Sequence, residues 1–328
     1  MTALSDYKSK LTFSHLKNSI EYRIAERLSI CKKKWFALRL KKTIQKKISL
    51  VGNKNPIRFS SEDLKDNFFF LSTFITATAD RMKILEATIP QSFIEIGNSN
   101  LTVRVIDASD KNWSGKIESV FEKIHGINLQ YKNQKIQFAP SIYNTLQQCS
   151  EKYFCLVYDD QPIFGLNTSF LKASCQLLKD YEGSLDMVLM ETLKDYRIEN
   201  DKIYFNLSDL GCKQYSHKLI EEVSYNGHKF GIYENYQYGF FFNTIIASCK
   251  DYSKRLEWYL KNIGENGQHI ELAGKAAKGP IFHHIAVSHE VFMMDIGYEH
   301  TTLSIRGNKA SRKDLYQALK KGYGIQIT

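Results

Sequence analysis

The feature that most constrains the fold is a series of short apolar runs that alternate with helical segments from about residue 66 onward. Residues 68–76, Phe-Phe-Phe-Leu-Ser-Thr-Phe-Ile-Thr, are apolar and β-favouring throughout, as expected of a strand buried on both faces. A helical segment from Asp80 to Thr88 and an alternating strand from Leu101 to Asp107 follow. Strands that alternate with helices indicate parallel βαβ units. We therefore expect an α/β fold with a mostly parallel, Rossmann-type sheet flanked by helices.

The same alternation continues to about residue 190 and then weakens. Further predicted elements are a helix at Ser141–Ser150 with Pro140 just before it, a buried strand at Tyr153–Tyr158, a helix at Thr168–Tyr181 and a strand at Met187–Met190. Later ones are a hairpin turn at Asn226-Gly227, a helix over 243–262, a helix from His269 to Ala273 and a strand at Val291–Ile296. We expect one domain over 66–328, with one half at 66–190 and a second at 191–328.

Residues 1–58 differ sharply in charge from the rest of the chain. They hold 15 Lys or Arg and three acids, a net charge of +12, whereas the remaining residues carry −2. This predicted helical, basic segment can pack on the globule, lie on an anionic membrane surface or bind nucleic acid. A nucleic-acid-binding core normally carries its own basic face. The balanced charge of the globule therefore argues against nucleic acid as its partner.

Several classes of protein are excluded by composition. The chain has 328 residues, of which 43% are hydrophobic and 24% charged, so it is neither disordered nor collagen-like. No window reaches the ~18 consecutive apolar residues that a membrane span needs. The first residues lack the apolar core of a secretory signal, so we expect a cytoplasmic protein, at the inner face of the membrane if the basic segment binds there. The six cysteines form no zinc-binding spacing.

Acidic residues follow the predicted strands at three places. Asp80 follows the first strand, Asp107 ends the second, and Asp159 and Asp160 follow the buried strand that starts at Tyr153. Ligands of α/β sheets bind at the carboxyl ends of the strands. Carboxylates there suit a ligand with hydroxyls, amide N–H groups and a metal-bound diphosphate. The plainer alternatives are an N-cap at Asp80, a polar strand end at Asp107 and an acidic turn at Asp159-Asp160.

The order and spacing of these segments resemble the nucleotide-sugar half of GT-A-fold glycosyltransferases, in particular the bacterial family 2 enzymes. Three stretches carry the resemblance: Thr76-Ala-Thr-Ala-Asp-Arg81, Val103-Arg-Val-Ile-Asp-Ala-Ser-Asp110 and the helix and strand from Asn144 to Asp160. They cover about residues 74–164, and the C-terminal half is only loosely similar. The resemblance implies a GT-A-like fold.

The resemblance also implies a function and a set of site residues. The protein would transfer a sugar, with inversion, from a nucleoside diphosphate sugar, UDP-sugar favoured, to a hydroxyl of a cell-surface glycan or lipid-linked acceptor. Nucleotide-sugar contacts fall on Thr76, Asp80, Arg81, Asp107 for the nucleoside and Asp159 for the ribose, and Asp160 binds Mn²⁺ or Mg²⁺ at the diphosphate. The motif here is Tyr158-Asp-Asp-Gln161 and not Asp-x-Asp, so an enzyme without a metal is the alternative.

An inverting transferase needs a base for the acceptor hydroxyl. In the family that base lies at the start of a helix in the second half, a position that Glu271 matches here, with Glu265 as the competitor. Many of these enzymes complete the metal shell with a C-terminal histidine. By that resemblance the ligand is His300, with Asp295 as the alternative. For both acids and for the histidine, a purely structural role is the plain alternative.

Two other functions fit parts of the sequence. A nucleotidyltransferase acting on sugar phosphates would share the α/β layout and the acidic metal site. Such an enzyme normally has a glycine-rich phosphate loop after its first strand, and residues 76–81 contain no glycine. A non-catalytic adaptor would use the basic segment 1–58 to bind a membrane surface or nucleic acid.

Overall fold

A computed structural model describes residues 61–74, 79–96, 99–193, 196–205, 219–234, 244–262, 284–294, 317–318, 321 and 324–327. The basic segment 1–58 and the helix predicted at His269–Ala273 lie outside these residues, and the boundary at residue 190 stays a prediction. The helices are α1 (Ser61–Asn67), α2 (Ala79–Phe93), α3 (Lys111–Glu122), α4 (Phe138–Gln148), α5 (Thr168–Asp180) and α6 (Cys249–Asn262).

Thirteen strands accompany these helices in the described part of the chain. The first seven are β1 (Phe68–Phe74), β2 (Leu101–Asp107), β3 (Ile127–Asn133), β4 (Tyr153–Val157), β5 (Ile163–Phe164), β6 (Leu185–Leu193) and β7 (Tyr196–Glu199). The others are β8 (Lys202–Phe205), β9 (Leu219–Tyr225), β10 (His228–Glu234), β11 (Ile245–Ser248), β12 (His284–Met294) and β13 (Gly324–Ile327).

One large mixed sheet organises the molecule. Its strand order is β3-β2-β1-β4-β11-β6-β12-β10-β9, and β5 pairs with β12 beside this path. Along the path, all the strands run in one direction except β10 and β11, which pair antiparallel with both of their neighbours. A second, small sheet has the order β13-β8-β7. The predicted α/β class with a mostly parallel sheet and flanking helices is therefore confirmed.

The helices cover both faces of the large sheet with aromatic contacts. On one face, Phe70 of β1 packs edge-on against Phe93 of α2, with ring centroids 5.0 Å apart. On the other face, Phe154 of β4 packs against Tyr252 of α6 at 5.3 Å. Both sides of β1 and β4 are thus buried, which explains their continuous apolar sequences. Each fully buried side chain of this size contributes about 1.5–3 kcal/mol of transfer free energy.

Several predicted elements need correction. The helix expected over 243–262 begins at Cys249, because residues 245–248 form β11 in the middle of the sheet. Pro140 lies inside the first turn of α4, where its missing N–H has no helical acceptor to lose.

The turn at Asn226-Gly227 is confirmed: both residues have positive φ, at 51° and 88°, and they join β9 to β10. None of the described helices is long and apolar enough to cross a bilayer.

Candidate functional site

The register of three parallel strands brings two of the predicted acidic positions to one edge of the sheet. Phe74, the last residue of β1, pairs with Asp107, the last residue of β2. On the other side of β1, Ser72 pairs with Val157, the last residue of β4, so that Asp159 follows at about the level of Asp107. Neighbouring strands lie about 4.8 Å apart. One strand therefore separates the tip of β2 from the tip of β4.

The tip of β2 is a closed hydrogen-bond network around the buried carboxylate of Asp107. Oδ1 accepts a hydrogen bond from the Ser109 N–H at 2.8 Å, and Oδ2 accepts one from the Tyr131 hydroxyl and a longer one, 3.4 Å, from the Asn133 amide. Burial and the neighbouring Asp107 carboxylate raise the pKa of Tyr131, so its hydroxyl stays protonated and donates.

This network also holds the loop that follows β2. The Asp107 carbonyl oxygen accepts hydrogen bonds from the Gln134 N–H at 2.8 Å and from the Asn133 side chain at 3.1 Å. The same Asn133 amide donates to the Ser109 carbonyl oxygen at 3.1 Å. Asp107 thus orients the start of the loop to α3. The predicted contact between Asp107 and a nucleoside stays a prediction, and it requires the ligand to replace one of these donors.

The tip of β4 is a tight turn that carries the two adjacent acids. Tyr158 and Gln161 form an antiparallel bridge, and the Gln161 N–H donates to the Tyr158 carbonyl oxygen at 3.4 Å. Asp159 is buried, whereas Asp160 is partly exposed. The turn therefore presents Asp160 outward and keeps Asp159 against the sheet.

Two other elements anchor this turn. From α2, the Thr88 hydroxyl donates to the Asp159 carbonyl oxygen at 2.6 Å. On the opposite side, the Gln161 side-chain oxygen accepts a hydrogen bond from the Thr244 N–H, just before β11, at 2.9 Å. The backbone of the Asp159-Asp160 turn is thus fixed from both sides. Sequence reasoning did not identify Thr88, Gln161 or Thr244, because each acts across a separation of more than 70 residues.

Two buried hydroxyls near these tips have no hydrogen-bond partner within the described residues. They are Oγ of Ser109, two residues beyond the end of β2, and Oγ1 of Thr73, the penultimate residue of β1. Unpaired buried polar groups are costly in free energy, which makes them groups that a polar ligand can stabilise. Neither residue was among the predicted site residues.

A polar groove of about 380 Å³ begins next to Asp107. Its walls come from one face of β2 and β3 and from α4, and they include Ile106, Lys132, Gln134, Ser141 and Asn144. At its far end the Arg104 guanidinium contacts the Glu151 carboxylate at 2.8 and 3.1 Å and lies over the Phe69 ring at 4.3 Å. The sequence does not predict this groove, because the alternation of apolar and polar residues in β2 and β3 indicates a half-exposed face but not what covers it.

The other predicted site residues are only partly described. Asp80 and Arg81 lie in the first turn of α2, which follows the end of β1, but the positions of their side chains are not described. Thr76, Glu265, Glu271, Asp295 and His300 lie outside the described residues. The base and the histidine of the metal shell therefore stay predictions.

A divalent cation is chemically compatible with the β4 turn. Carboxylate oxygens are the ligands that Mg²⁺ and Mn²⁺ prefer, and such ions often bind through one or two carboxylates together with substrate phosphates. Asp159 and Asp160 supply that type of ligand. Among the described residues, no group of three or more His, Cys, Asp or Glu is placed to hold a metal ion by itself.

Comparisons with known proteins place glycosyltransferases among the similar solved structures. The S. aureus TarS fragment 1–349 in complex with UDP-GlcNAc matches 72% of this chain with 13% identity and a TM-score of 0.38, and the match spans 60% of that chain. The mannosyltransferase PcManGT from Pyrobaculum calidifontis, in complex with GDP-Man and Mn²⁺, matches 77% of this chain and 63% of its own, with 10% identity and a TM-score of 0.36.

A nucleotidyltransferase-type enzyme is also among the similar structures. The 4-diphosphocytidyl-2C-methyl-D-erythritol synthase from Anaerococcus prevotii matches 77% of this chain and 98% of its own, with 14% identity and a TM-score of 0.36. No protein-family model and no curated protein matches the sequence.

Proposed function

We propose that the protein is a glycosyltransferase that moves a sugar from a nucleoside diphosphate sugar, with UDP-sugar favoured, to a hydroxyl acceptor. The observation that carries the proposal is the common edge on which the tips of β1, β2 and β4 lie, with Asp107, Asp159 and Asp160 on two of these tips. A donor bound there would meet carboxylates suited to ribose hydroxyls and to a cation on the diphosphate. The hydroxyls of Thr73 and Ser109, which have no hydrogen-bond partner in the part of the chain that the structure describes, are additional partners for such a polar ligand.

The two tips take different roles in this proposal. Asp107 fixes the loop after β2, and Ser109 in that loop offers its hydroxyl to the nucleoside. The partly exposed Asp160 would hold a Mn²⁺ or Mg²⁺ ion at the diphosphate, and the more buried Asp159 would contact the ribose. When bound, the cation offsets negative charge on the leaving diphosphate.

The reaction requires one proton transfer and one displacement. The acceptor oxygen attacks the anomeric carbon, the bond from that carbon to the diphosphate oxygen breaks, and a carboxylate takes the acceptor proton. We assign the base to Glu271, with Glu265 as the alternative, and the remaining metal ligand to His300 or Asp295. Attack opposite the leaving group inverts the anomeric centre. The acceptor is a growing glycan or a lipid-linked saccharide, which the basic segment 1–58 would approach at an anionic membrane surface.

A turnover assay with a panel of UDP- and GDP-sugars tests this function. We expect the full-length protein to release nucleoside diphosphate from at least one donor. The variant Asp160→Asn should weaken donor binding by roughly 10- to 100-fold, since it removes one charged contact. Asp201→Asn is the matched control: it changes an exposed turn aspartate with φ of 58°, a conformation that asparagine also adopts.

Three outcomes of this assay, run in parallel with nucleoside triphosphates and sugar phosphates, would contradict the proposal. The first is that no donor binds or turns over. The second is that Asp160→Asn binds the donor as well as the Asp201→Asn control does. The third is release of pyrophosphate from a nucleoside triphosphate and a sugar phosphate, which would identify a nucleotidyltransferase at the same edge.

A further inference from the structure

Three side chains from three separate elements meet at the start of α5. Nδ1 of His228 lies 2.8 Å from a carboxylate oxygen of Glu290, and Nε2 of the same ring lies 3.2 Å from the hydroxyl of Ser169. Ser169 is in α5, His228 begins β10 and Glu290 is in β12. A hydroxyl, an imidazole and a carboxylate joined in this order are the constellation that activates a serine nucleophile.

The environment of His228 fixes both its orientation and its tautomer. The ring packs edge-on against Phe170, with centroids 5.5 Å apart and an interplanar angle of 80°. Phe170 in turn stacks on Phe230 at 5.6 Å. Because the ionised Glu290 carboxylate only accepts, Nδ1 carries a proton, and in the neutral imidazole the lone pair of Nε2 then faces the Ser169 hydroxyl. His228 can therefore take the proton of Ser169.

An irregularity in β12 aims Glu290 at the histidine. The pairing of β12 with β6 shifts register between Val287 and Phe292, and within this bulge the Ser288 hydroxyl accepts hydrogen bonds from the N–H groups of Glu290 (3.2 Å) and Val291 (2.9 Å). Across the sheet, β10 pairs Phe230 with Ser288, so His228 lies beside Glu290. Bulges of this kind reorient a side chain and are common next to active sites.

The loop before α5 makes a close approach to the same bulge. Gly165 has φ of 76°, and a Cβ atom at this position would lie 3.2 Å from the Glu290 carbonyl oxygen. Asn167 then caps α5 by accepting a hydrogen bond from the Phe170 N–H at 2.9 Å. Glycine and the cap together hold the first turn of α5, and with it Ser169, against His228.

Ser169 is placed where a substrate can reach it. It is the second residue of a 13-residue helix and is exposed, while the His228 side chain is 14% exposed and the Glu290 side chain 40%. The first N–H groups of a helix have no acceptor within that helix, and the helix dipole favours negative charge at this end. Asn167 takes the Phe170 N–H, so the N–H groups of Thr168 and Ser169 are the donors next to an oxyanion that forms on the substrate carbonyl.

We propose that Ser169, His228 and Glu290 form a hydrolytic triad that cleaves short-chain carboxylic esters through an acyl-serine intermediate. This activity differs from sugar transfer in the groups that perform it, because the proposed transfer uses none of Ser169, His228 and Glu290. The open position of Ser169 suits a small acyl group on an exposed substrate.

The reaction balances with water as the only co-substrate. The Ser169 oxygen attacks the ester carbonyl carbon and its proton moves to Nε2 of His228. The intermediate collapses, the bond to the leaving alcohol breaks, and His228 returns the proton to the leaving oxygen. Water then attacks the acyl-serine and gives a proton to Nε2. The carboxylic acid leaves as Ser169 recovers its proton.

Covalent labelling of the full-length protein with an alkyl fluorophosphonate tests the triad. The Ser169 oxygen would form the O–P bond, fluoride would leave, and the serine proton would leave with it. We expect one adduct, mapped to Ser169 by peptide mass spectrometry, and no adduct in Ser169→Ala. The matched control Ser119→Ala changes a helical serine whose hydroxyl donates to the Lys116 carbonyl oxygen of its own helix, so it should label normally.

The roles of His228 and Glu290 are tested by the rate of labelling. We expect His228→Gln to lower this rate by about 100-fold or more, since it removes the base. Glu290→Gln should lower the maximal labelling rate without changing the probe concentration that gives half of it, because Glu290 positions His228 and does not contact the probe. A carboxylate that merely clamps the two strands would leave that rate unchanged.

Hydrolysis of p-nitrophenyl acetate gives the second readout. The wild type and Ser119→Ala should hydrolyse the ester at equal rates, and Ser169→Ala should lose this activity. Absence of an adduct from the wild type, an adduct on another residue, or equal labelling of wild type and His228→Gln would each overturn the proposal and leave the three residues as a structural clamp.

Discussion

The tips of β2 and β4 lie on the same edge of the sheet, but they use their carboxylates in opposite ways. At the β2 tip, Asp107 is buried and its oxygens are occupied by Ser109, Tyr131 and Asn133. At the β4 tip, the turn is anchored through the Asp159 carbonyl oxygen and the Gln161 side chain, and Asp160 is partly exposed. The position of an acid at the edge of a sheet therefore does not determine its role. Asp107 stabilises the loop at this edge, whereas Asp160 is accessible to a ligand there.

Replacement of Asp107 should have the largest effect on stability. The variant Asp107→Asn keeps the shape but turns one acceptor into a donor, so the side chain no longer accepts from both the Ser109 N–H and the Tyr131 hydroxyl, and the charged acceptor is lost. We expect the free energy of unfolding to fall by roughly 3 kcal/mol, measured by urea denaturation. The exposed control Asp201→Asn should change it by less than about 0.5 kcal/mol. Equal stabilities would show that the network around Asp107 is unimportant.

Removal of a single donor from the same network should cost less. Tyr131→Phe deletes the hydroxyl that faces the Asp107 carboxylate and leaves the other two donors in place. We expect a loss of about 1.5 kcal/mol in the same denaturation experiment. In combination with Asp107→Asn the two losses should be much less than additive, since both variants break one hydrogen bond. Full additivity would contradict the shared contact.

The β4 tip should depend on its backbone anchors. In Thr88→Val, the Asp159 carbonyl oxygen loses the hydroxyl that lies 2.6 Å away, while the shape of the side chain is kept. We expect a loss of about 1 kcal/mol in stability and, because the turn loosens, weaker binding of the nucleotide in calorimetry. If Thr88→Val is destabilised but binds the nucleotide with unchanged affinity, the turn does not contribute to the binding site.

Asp160 should affect stability least among the residues compared. Because its side chain is partly exposed, Asp160→Asn is expected to shift the free energy of unfolding by less than about 0.5 kcal/mol, while it abolishes much of the donor affinity. Denaturation and calorimetry on the same sample measure both quantities. A loss of stability as large as that of Asp107→Asn would show that Asp160, like Asp107, has a structural role.

The stability of the protein at alkaline pH tests the role of Tyr131 at the β2 tip, because this residue does not titrate near neutral pH. Burial and Asp107 raise the pKa of Tyr131 above its usual value near 10, so the unfolded chain releases this proton at lower pH than the folded protein does. The contribution of Tyr131 to stability is therefore complete below pH 10 and falls as the pH rises above it. Tyr131→Phe should reduce the alkaline loss of stability. An unchanged alkaline slope would show that Tyr131 has an ordinary pKa.

The sequence predicted the strands of this edge well because β1 and β4 are buried on both faces, and β2 alternates buried with half-buried residues. Leu101–Asp107 was predicted with the bounds that the structure has, and the runs at Phe68 and Tyr153 are β1 and β4. It failed at β11, where three buried residues and the half-buried Ser248 directly precede a helix and continue its apolar pattern. No local signal separates such a strand from the helix, since its partners β4 and β6 lie far away in the chain.

The sequence also predicted only part of the candidate site. Asp107, Asp159 and Asp160 could be selected from the sequence because they directly follow predicted strands. Their different environments could not be predicted, because Tyr131, Thr88 and Thr244 form hydrogen bonds with the two tips from other elements of the fold. The contact between Ser169, His228 and Glu290 was missed for the same reason: about 60 residues separate each pair that touches.

A crystal structure of the full-length protein with UDP and Mn²⁺ would locate the donor site. We expect the nucleotide at the edge formed by β1, β2 and β4, with the ion between Asp160 and the phosphates and with the Asp107 network closed. A nucleotide bound elsewhere, or an ion held without either Asp159 or Asp160, would contradict this expectation.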